Sequence, residues 1–307
     1  MTKPRTLAAT LALAALKTAL RIVITAALWP AVTGHAATPD VASLLQAADR
    51  YRQGMGQGSA PGTGGGGANL QVETLVTTVN RDGSVDKERR YTVFVQADHR
   101  SLVLMRSPAE AGQKVLMLGD DFWLLLPGSA RALRITAMQK LLGDASTGDI
   151  ATLRWADDYS GTVVGEDTCV NGRPVAAGAA GSASPPGPLG PLGPLATPDT
   201  TSGQACLHLS LQANRKGLSY QRIELWLGKA RHEPLAADLY LQSDKLAKQA
   251  RFVFDKPTAP TTVTEMVLLD QLGKHQETRV RYLSRQPRTL PESWLNPMSL
   301  ARNPGLE

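Results

Sequence analysis

Cysteine and histidine are scarce in this sequence, which limits the chemistry it can carry. The 307 residues include two cysteines, Cys169 and Cys206, and five scattered histidines. The spacing of the cysteines excludes a Cys-x-x-Cys redox pair, and neither cysteine has the neighbouring ligands that a metal site needs. The chain also lacks the Gly-x-Ser-x-Gly and His-Glu-x-x-His motifs of hydrolases. We therefore expect no enzymatic activity, no bound metal and no cofactor.

Paired carboxylates are the remaining catalytic candidates. The sequence has two adjacent pairs, Asp120-Asp121 and Asp157-Asp158. Neighbouring side chains on a strand point to opposite faces, and acids at strand ends are common in solvated turns. We interpret all four as solvated turn residues.

Acidic residues are absent from the first 39 positions, where four Lys and Arg residues precede an uncharged segment at 22–32. That segment is too short to span a bilayer comfortably, which is typical of a signal peptide. Small residues place the cleavage after Ala36, with Ala37 as a neighbouring alternative. The sequence thus predicts a signal peptide over residues 1–36 and export to the periplasm. An uncleaved membrane anchor is the competing interpretation.

The basic charge belongs largely to this targeting segment. Without residues 1–36, the 33 Lys and Arg fall by four to 29, against 27 Asp and Glu, so the formal net charge falls from +6 to +2. No concentrated basic face of the kind that binds nucleic acid remains. We expect a monomeric periplasmic protein with no nucleic-acid partner and no stable membrane span after signal cleavage. In that oxidising compartment Cys169 and Cys206 are a disulfide candidate.

One amphipathic helix and a long series of strands are predicted for residues 38–303. Apolar residues from Val41 to Tyr51 repeat at helical spacing until Gly54. From Leu70 onward the pattern is β, beginning with a hairpin at Asp82-Gly83. Several strands, such as residues 102–105, are apolar on both faces, which a sheet solvated on one side does not need. Both surfaces of that part of the sheet should therefore be covered or should line a cavity.

Residues 106–159 combine strands with a predicted cover. The apolar runs at 114–119 and 122–127 are short and are interrupted by Gly and Pro, which favours two consecutive strands, central in the sheet. From Met138 to Trp155 the apolar spacing changes to three and four. This change predicts short helical turns that lie over the sheet.

Residues 176–204 are rich in Pro, Gly and Ala and cannot form a core. The sequence predicts a disordered insertion in the domain. Since the two cysteines flank it, a disulfide would close the loop at its base.

Several of these segments resemble the outer-membrane lipoprotein-sorting protein family with a LolA/LolB-like fold, in particular its divergent branch associated with envelope transporters. The matching pieces are RSPAEAGQKVLML, FWLLLP, RI…MQKLLGD, GDIATL…DDY, CLHLSL, RIELWLGKARHEPLAADLYLQSDKLAKQARF and LPESWLNPMSLAR. The resemblance covers about residues 38–303. It implies a mainly β fold with a few α-helices: an unclosed antiparallel half-barrel of about 10–11 strands, whose concave face is covered by short helices and forms a hydrophobic cavity for acyl chains.

The leading hypothesis for function is a periplasmic carrier of lipid or of lipoprotein acyl chains, with an inner-membrane transporter as a further partner. The alternative is a non-carrier envelope regulator or an accessory subunit of an envelope transporter, which the Pro-rich insertion favours. The candidate ligand-binding residues of the cavity and its cover are Leu102, Leu104, Met117, Trp123, Leu125, Leu141, Leu142, Ile150 and Leu153.

Overall fold

The computed structural model describes residues 40–54, 69–136, 149–150, 154–175, 203–272 and 277–302. These residues belong to one compact unit, Pro39–Glu307. The predicted signal peptide, most of the 176–204 insertion and the 138–148 part of the predicted cover lie outside the described residues. The fold is mainly β. Its strands are β1 (Leu70–Val79), β2 (Val85–Gln96), β3 (Arg100–Met105), β4 (Lys114–Leu118), β5 (Asp121–Leu125), β6 (Leu133–Ile135), β7 (Tyr159–Val170), β8 (Arg173–Pro174), β9 (Gln204–Ala213), β10 (Arg222–Gly228), β11 (Pro234–Tyr240), β12 (Leu246–Phe254), β13 (Val263–Asp270) and β14 (Glu277–Pro287).

Two α-helices accompany the strands in the described part of the chain. The first, α1 (Val41–Gln53), buries the predicted stripe and ends at Gly54, whose φ of 75° lies in the left-handed region that suits glycine. The second, α2 (Trp155–Asp158), is a single turn directly before β7. Short 3₁₀ turns are Pro108–Glu110, Glu292–Trp294 and Leu300–Arg302. None of the helices in the described ranges is long and apolar enough to cross a bilayer.

All fourteen strands form one antiparallel sheet in the order β6-β5-β4-β3-β2-β1-β14-β13-β12-β11-β10-β9-β7-β8. The end strands β6 and β8 do not pair with each other, so the predicted unclosed antiparallel sheet is confirmed. Its fourteen strands exceed the expected ten or eleven. Strands β4 and β5 lie next to the β6 edge of the sheet. The prediction that they are central strands was therefore wrong.

The sheet is strongly curled. Strands β4 and β10 are eight strand positions apart in the sheet, which in a flat sheet corresponds to about 38 Å. Nevertheless Arg215, in the loop between β9 and β10, donates a hydrogen bond of 3.1 Å to the carbonyl of Gly119 in the β4–β5 turn. Only a sheet that curves round on itself can bring these turns together, which is the half-barrel geometry.

The two faces of the sheet carry separate cores. We call the side that packs against α1 and α2 the helix-covered face and the other side the back face. The helix-covered face holds the largest apolar cluster, which includes Leu44, Leu45, Ala48, Val93, Val103, Val115, Leu225, Ala250 and Val280. On the back face a second cluster packs strands β2–β5 against the C-terminal segment, with Phe94, Leu102, Leu104, Leu116, Leu125, Leu290, Leu295 and Leu300.

Buried Gln96 holds the C-terminal segment on the back face. Its side-chain amide donates to the carbonyl of Arg288 (2.9 Å) and accepts from the backbone N–H of Leu290 (2.9 Å). A side chain thereby replaces the two hydrogen bonds of a neighbouring strand. The predicted two-sided burial of residues 102–105 follows from this segment, which covers one side, and from the helix-covered core on the other.

Candidate functional site

A small cavity lies on the helix-covered face between the helices and strands β10–β13. Its volume is about 50 Å³, room for a few water molecules. Most of its wall is apolar, and the polar members are concentrated on α1, on residue 149 and in the β9–β10 loop. The lining residues are Arg52, Asp149, Trp155, Tyr159, Leu218, Ser219, Tyr220, Ile223, Leu239, Ala250, Phe252 and Met266.

Aromatic contacts join the two helices to this wall. Trp155 of α2 meets Phe252 edge to face at 5.6 Å, and Tyr51 of α1 meets Phe254 in the same way at 6.0 Å. The guanidinium of Arg52 lies 3.9 Å from the Trp155 ring centre. Such pairs stabilise beyond the apolar area that they bury. The helices are therefore packed on the β12 end of the sheet by aromatic rings.

Asp49 joins α1 to α2. Its two carboxylate oxygens accept from the backbone N–H groups of Trp155 and Ala156, both at 2.9 Å, and Arg52 lies 3.4 Å away. Asp49 therefore satisfies backbone donors at the first turn of α2, which would otherwise be buried without partners. Burial raises the pKa of Asp49 from 3.8 to about 6, against the opposing effects of Arg52 and the two backbone donors.

A second buried charge pair links residue 149 to the sheet. Lys248 on β12 forms an ion pair with Asp149, and the side chains are 3% and 2% exposed. The Tyr220 hydroxyl donates to the same carboxylate at 2.7 Å. Lys248 faces the helices because it is directly opposite Leu239 on β11, a residue that lines the cavity. This face of the sheet thus buries charged groups beside apolar side chains.

An ion-pair network closes the rim formed by the turns of distant strands. Arg215 donates to the buried carboxylate of Asp158 (2.8 Å) and also pairs with Asp120. Asp158 receives a second contact from His99 Nδ1 at 3.0 Å. The loop that carries Arg215 continues into Leu218, Ser219 and Tyr220 of the cavity wall. Arg215 therefore ties one wall of the cavity to the β4–β5 turn.

This rim corrects the interpretation of the paired acids. Asp158 is 1% exposed and Asp120 pairs with Arg215, so neither is a simple solvated turn residue. Asp121 and Asp157 pair with Arg134 and Arg154. The pattern of two adjacent acids carried no information about Arg215, which is 57 positions from Asp158 and 95 from Asp120 along the chain.

The structure divides the predicted cavity residues between the two faces. Met117 and Ile150 lie in the core of the helix-covered face. Leu102, Leu104 and Leu125 pack on the back face under the C-terminal segment, and Trp123 shares that side because it is directly opposite Leu116. These four residues therefore lie on the face opposite the cavity. The remaining three, Leu141, Leu142 and Leu153, lie outside the described residues.

Sequence reasoning missed the buried charges. Lys248 alternates with Ala250 and Phe252 along β12, so a period of two already places it on an apolar face. Asp49 and Arg52 follow Leu45 and Ala48 at helical spacing on α1. Charged residues at inward positions were the available signal.

Cys169 and Cys206 are joined by a disulfide bond, with Cα atoms 6.0 Å apart. The bond connects β7 with β9 on the back face and forms a small cluster with Trp226, Leu235 and Ala236. His208 stacks on Trp226 at 4.8 Å. This cluster lies at the base of the 176–204 segment and is separate from the cavity.

In the described ranges, no group of three or more His, Cys, Asp or Glu side chains is placed to hold a metal ion. The cavity provides apolar walls, two buried ion pairs and a tyrosine hydroxyl.

An open antiparallel half-barrel with helices on one face defines the structural class of this protein, and comparison with solved structures identifies it as the LolA-like fold. A LolA superfamily protein from Nitrosomonas europaea matches with a TM-score of 0.63 and 22% identity, over 84% of this chain and 98% of that one. A DUF1329 family protein from Desulfovibrio piger matches with a TM-score of 0.55 and 19% identity, over 84% and 98%. A protein from Vibrio parahaemolyticus, described as a putative outer membrane lipoprotein-sorting protein domain, matches with a TM-score of 0.55 and 15% identity, over 85% of this chain and 98% of that one.

A family model described as "uncharacterized protein" matches residues 97–177 and 195–302. The match covers more than half of the chain, and the chain belongs to this family. No curated protein gives a significant sequence match. The resemblance to the LolA/LolB-like fold is thus confirmed at the level of the fold.

Proposed function

We propose that this protein is a periplasmic carrier that holds lipid or lipoprotein acyl chains against the helix-covered face. The observation that carries the proposal is the cavity between the helices and β10–β13, on a fold of the LolA type. Its apolar wall suits hydrocarbon, and burial of an acyl chain stabilises a complex by about 0.8 kcal/mol per methylene group. The role is binding and transfer, without chemical conversion.

Cargo entry requires movement, because a cavity of about 50 Å³ cannot hold an acyl chain. The helices and the β9–β10 loop must separate from the sheet when a chain enters. The contacts that resist this movement are the Asp49 cap, the Lys248 ion pair and the Arg215 rim. Polar contacts of this kind can be exchanged for water when the wall opens, so the closed state suits a protein without cargo.

Mass spectrometry of protein purified from an envelope fraction tests the carrier role. We expect co-purified lipid, and uptake of a fluorescent fatty acid by delipidated protein. Absence of both would contradict the proposal. Fractionation of the same cells tests the periplasmic location and the removal of residues 1–36.

Neighbouring residues of β12 test where the chain binds. Ala250 is buried in the cavity wall, and Arg251 points to the opposite face and is exposed. We expect Ala250→Leu to fill the cavity and to reduce fatty-acid uptake by about tenfold or more, at a stability cost of about 1–3 kcal/mol. Arg251→Ala should leave uptake unchanged. Equal uptake by both variants would show that the cargo binds elsewhere.

A second candidate function is that of an envelope regulator or an accessory subunit of an envelope transporter. The feature that favours it is the disulfide-closed base of the insertion, whose cluster around Trp226 lies away from the cavity. Deletion of residues 176–202 separates the two roles. Intact lipid uptake with loss of partner capture would favour the second function.

A further inference from the structure

Lys248 is an unusual residue for a wall that binds hydrocarbon. Its ammonium group is buried on the helix-covered face and has the Asp149 carboxylate as its counter-ion. The Tyr220 hydroxyl donates to the same carboxylate at 2.7 Å. Two donors from separate elements, β12 and the β9–β10 loop, therefore converge on one carboxylate at the edge of the cavity.

Stability alone does not explain this arrangement. A buried ion pair gains little over apolar residues of similar volume, because desolvation of both charges offsets their attraction. A purely apolar β12 would be expected if the wall only had to pack or to bind hydrocarbon. The ion pair would have a function if the carboxylate of a ligand could replace the Asp149 carboxylate at Lys248.

We propose that Lys248 and Tyr220 form an anion subsite that binds the carboxylate headgroup of a fatty-acid-like cargo, and that Asp149 occupies this subsite when no cargo is bound. The inference rests on the proposed carrier function and names the class of cargo. The headgroup would lie at Lys248, and the chain would follow Ile223, Phe252 and Met266 of the cavity wall.

The exchange is balanced in charge. A cargo carboxylate takes the place of the Asp149 carboxylate, so Lys248 keeps one counter-ion throughout and Asp149 moves out towards water. A methyl ester has no charge, and it would leave Lys248 buried without a counter-ion if it displaced Asp149. The subsite therefore distinguishes acids from esters with the same chain. It also predicts that Asp149 competes with the cargo.

Titration with a dansyl-labelled undecanoic acid and with its methyl ester tests the inference. We expect the wild-type protein to bind the acid about tenfold more tightly than the ester, since a charged hydrogen-bonded headgroup adds to the same chain contacts. Acetate, which has the headgroup but no chain, should not compete with the acid. Equal affinity for acid and ester would overturn the headgroup subsite but leave the carrier role intact. Failure of both to bind would overturn both proposals.

Three variants assign the preference to the subsite. Asp149→Asn removes the competing charge with little change of shape, and we expect tighter binding of the acid and little change for the ester. Tyr220→Phe should weaken binding of the acid several-fold and leave binding of the ester unchanged. The double variant Asp149→Leu with Lys248→Met keeps the site filled with apolar atoms, and we expect it to bind acid and ester within about twofold of each other. An acid preference that survives in the double variant would overturn the assignment.

Discussion

Single charged residues on the helix-covered face control how its helices are attached. Asp49 accepts from two backbone N–H groups of α2, and Lys248 holds Asp149 against β12. Both contacts are buried, so each depends on a partner from a distant part of the chain. Removal of one partner leaves the other without compensation in a place that water does not reach.

The pH dependence of stability tests Asp49. Because burial raises its pKa from 3.8 to about 6, the folded protein binds a proton between these values that the unfolded chain has released. The contribution of Asp49 to the free energy of unfolding is therefore greatest below the pKa of the unfolded state, 3.8. It falls by on the order of 3 kcal/mol as the pH rises through the folded pKa of about 6. Urea unfolding from about pH 4.5 to 7.5 should show a steeper loss with rising pH for the wild type than for Asp49→Asn. Parallel profiles would contradict the raised pKa.

Removal of the lysine alone tests the Lys248–Asp149 pair. We expect Lys248→Met to cost about 3–5 kcal/mol, because Asp149 loses its buried counter-ion. The double variant with Asp149→Leu should recover most of that loss. Urea unfolding of the two single variants and the double variant measures the coupling. Additive losses would indicate that the pair is weak.

Among the secondary-structure elements, side-chain contacts of the rim and of the C-terminal segment join strands that are distant in the sheet or along the chain. Arg215 on the β9–β10 loop reaches the β4–β5 turn and the end of α2. Gln96 at the end of β2 pairs with the backbone of the C-terminal segment. The sheet is open at its edge strands, so these contacts help to maintain its curvature.

Arg215 in the β9–β10 loop and Arg222 at the start of β10 are seven positions apart, and a comparison of the two distinguishes a rim contact from a surface ion pair. Arg215 binds the buried Asp158, whereas Arg222 pairs with Asp244, whose side chain is 74% exposed, and with Glu224 two positions along its own strand. We expect Arg215→Met to cost about 3 kcal/mol and to accelerate amide exchange in residues 214–221. Arg222→Met should cost about 1 kcal/mol or less. Similar exchange in the two variants would show that the rim does not restrain the loop.

In the molecule as a whole, the disulfide bond and the cavity lie on opposite faces of one sheet. The disulfide joins β7 to β9 on the back face, and the cavity lies on the helix-covered face. The C-terminal segment covers the back face at the other end of the sheet. Stability and binding should therefore respond to different substitutions.

Replacement of both cysteines by serine tests this separation. The disulfide closes 37 positions of the chain, and the loop-entropy model assigns such a closure about 4 kcal/mol. We expect a loss of that order in urea unfolding, with fatty-acid uptake unchanged in the folded protein. The Ala250→Leu variant is the opposite case, with lower uptake and a smaller loss of stability. Loss of uptake in the folded serine variant would contradict this separation, because binding at the cavity would then depend on the disulfide on the other face.

Much of the fold was predictable from local patterns. Helical spacing and Gly54 defined α1, Asp82-Gly83 defined the first hairpin, and apolar runs broken by Gly and Pro defined β4 and β5. These features depend on backbone preferences and on periods of two or four residues, which act over a few positions. The antiparallel arrangement followed from many such strands in series, whereas the open half-barrel was implied by the resemblance to the LolA/LolB-like fold.

The sequence by itself therefore determined α1, most of the strands and their order along the chain. The helical cover over residues 138–155 stays a prediction, because residues 137–148 and 151–153 lie outside the described part of the chain. Only the tertiary structure decided which face of each strand meets the helices. Strands that are apolar on both sides have no preferred face in a period of two, so Leu102 and Met117 were assigned to one cavity although they lie on opposite faces. The tertiary structure also decided the partners of Asp49, Asp158 and Lys248. Those partners are distant along the chain and come close only in the folded protein.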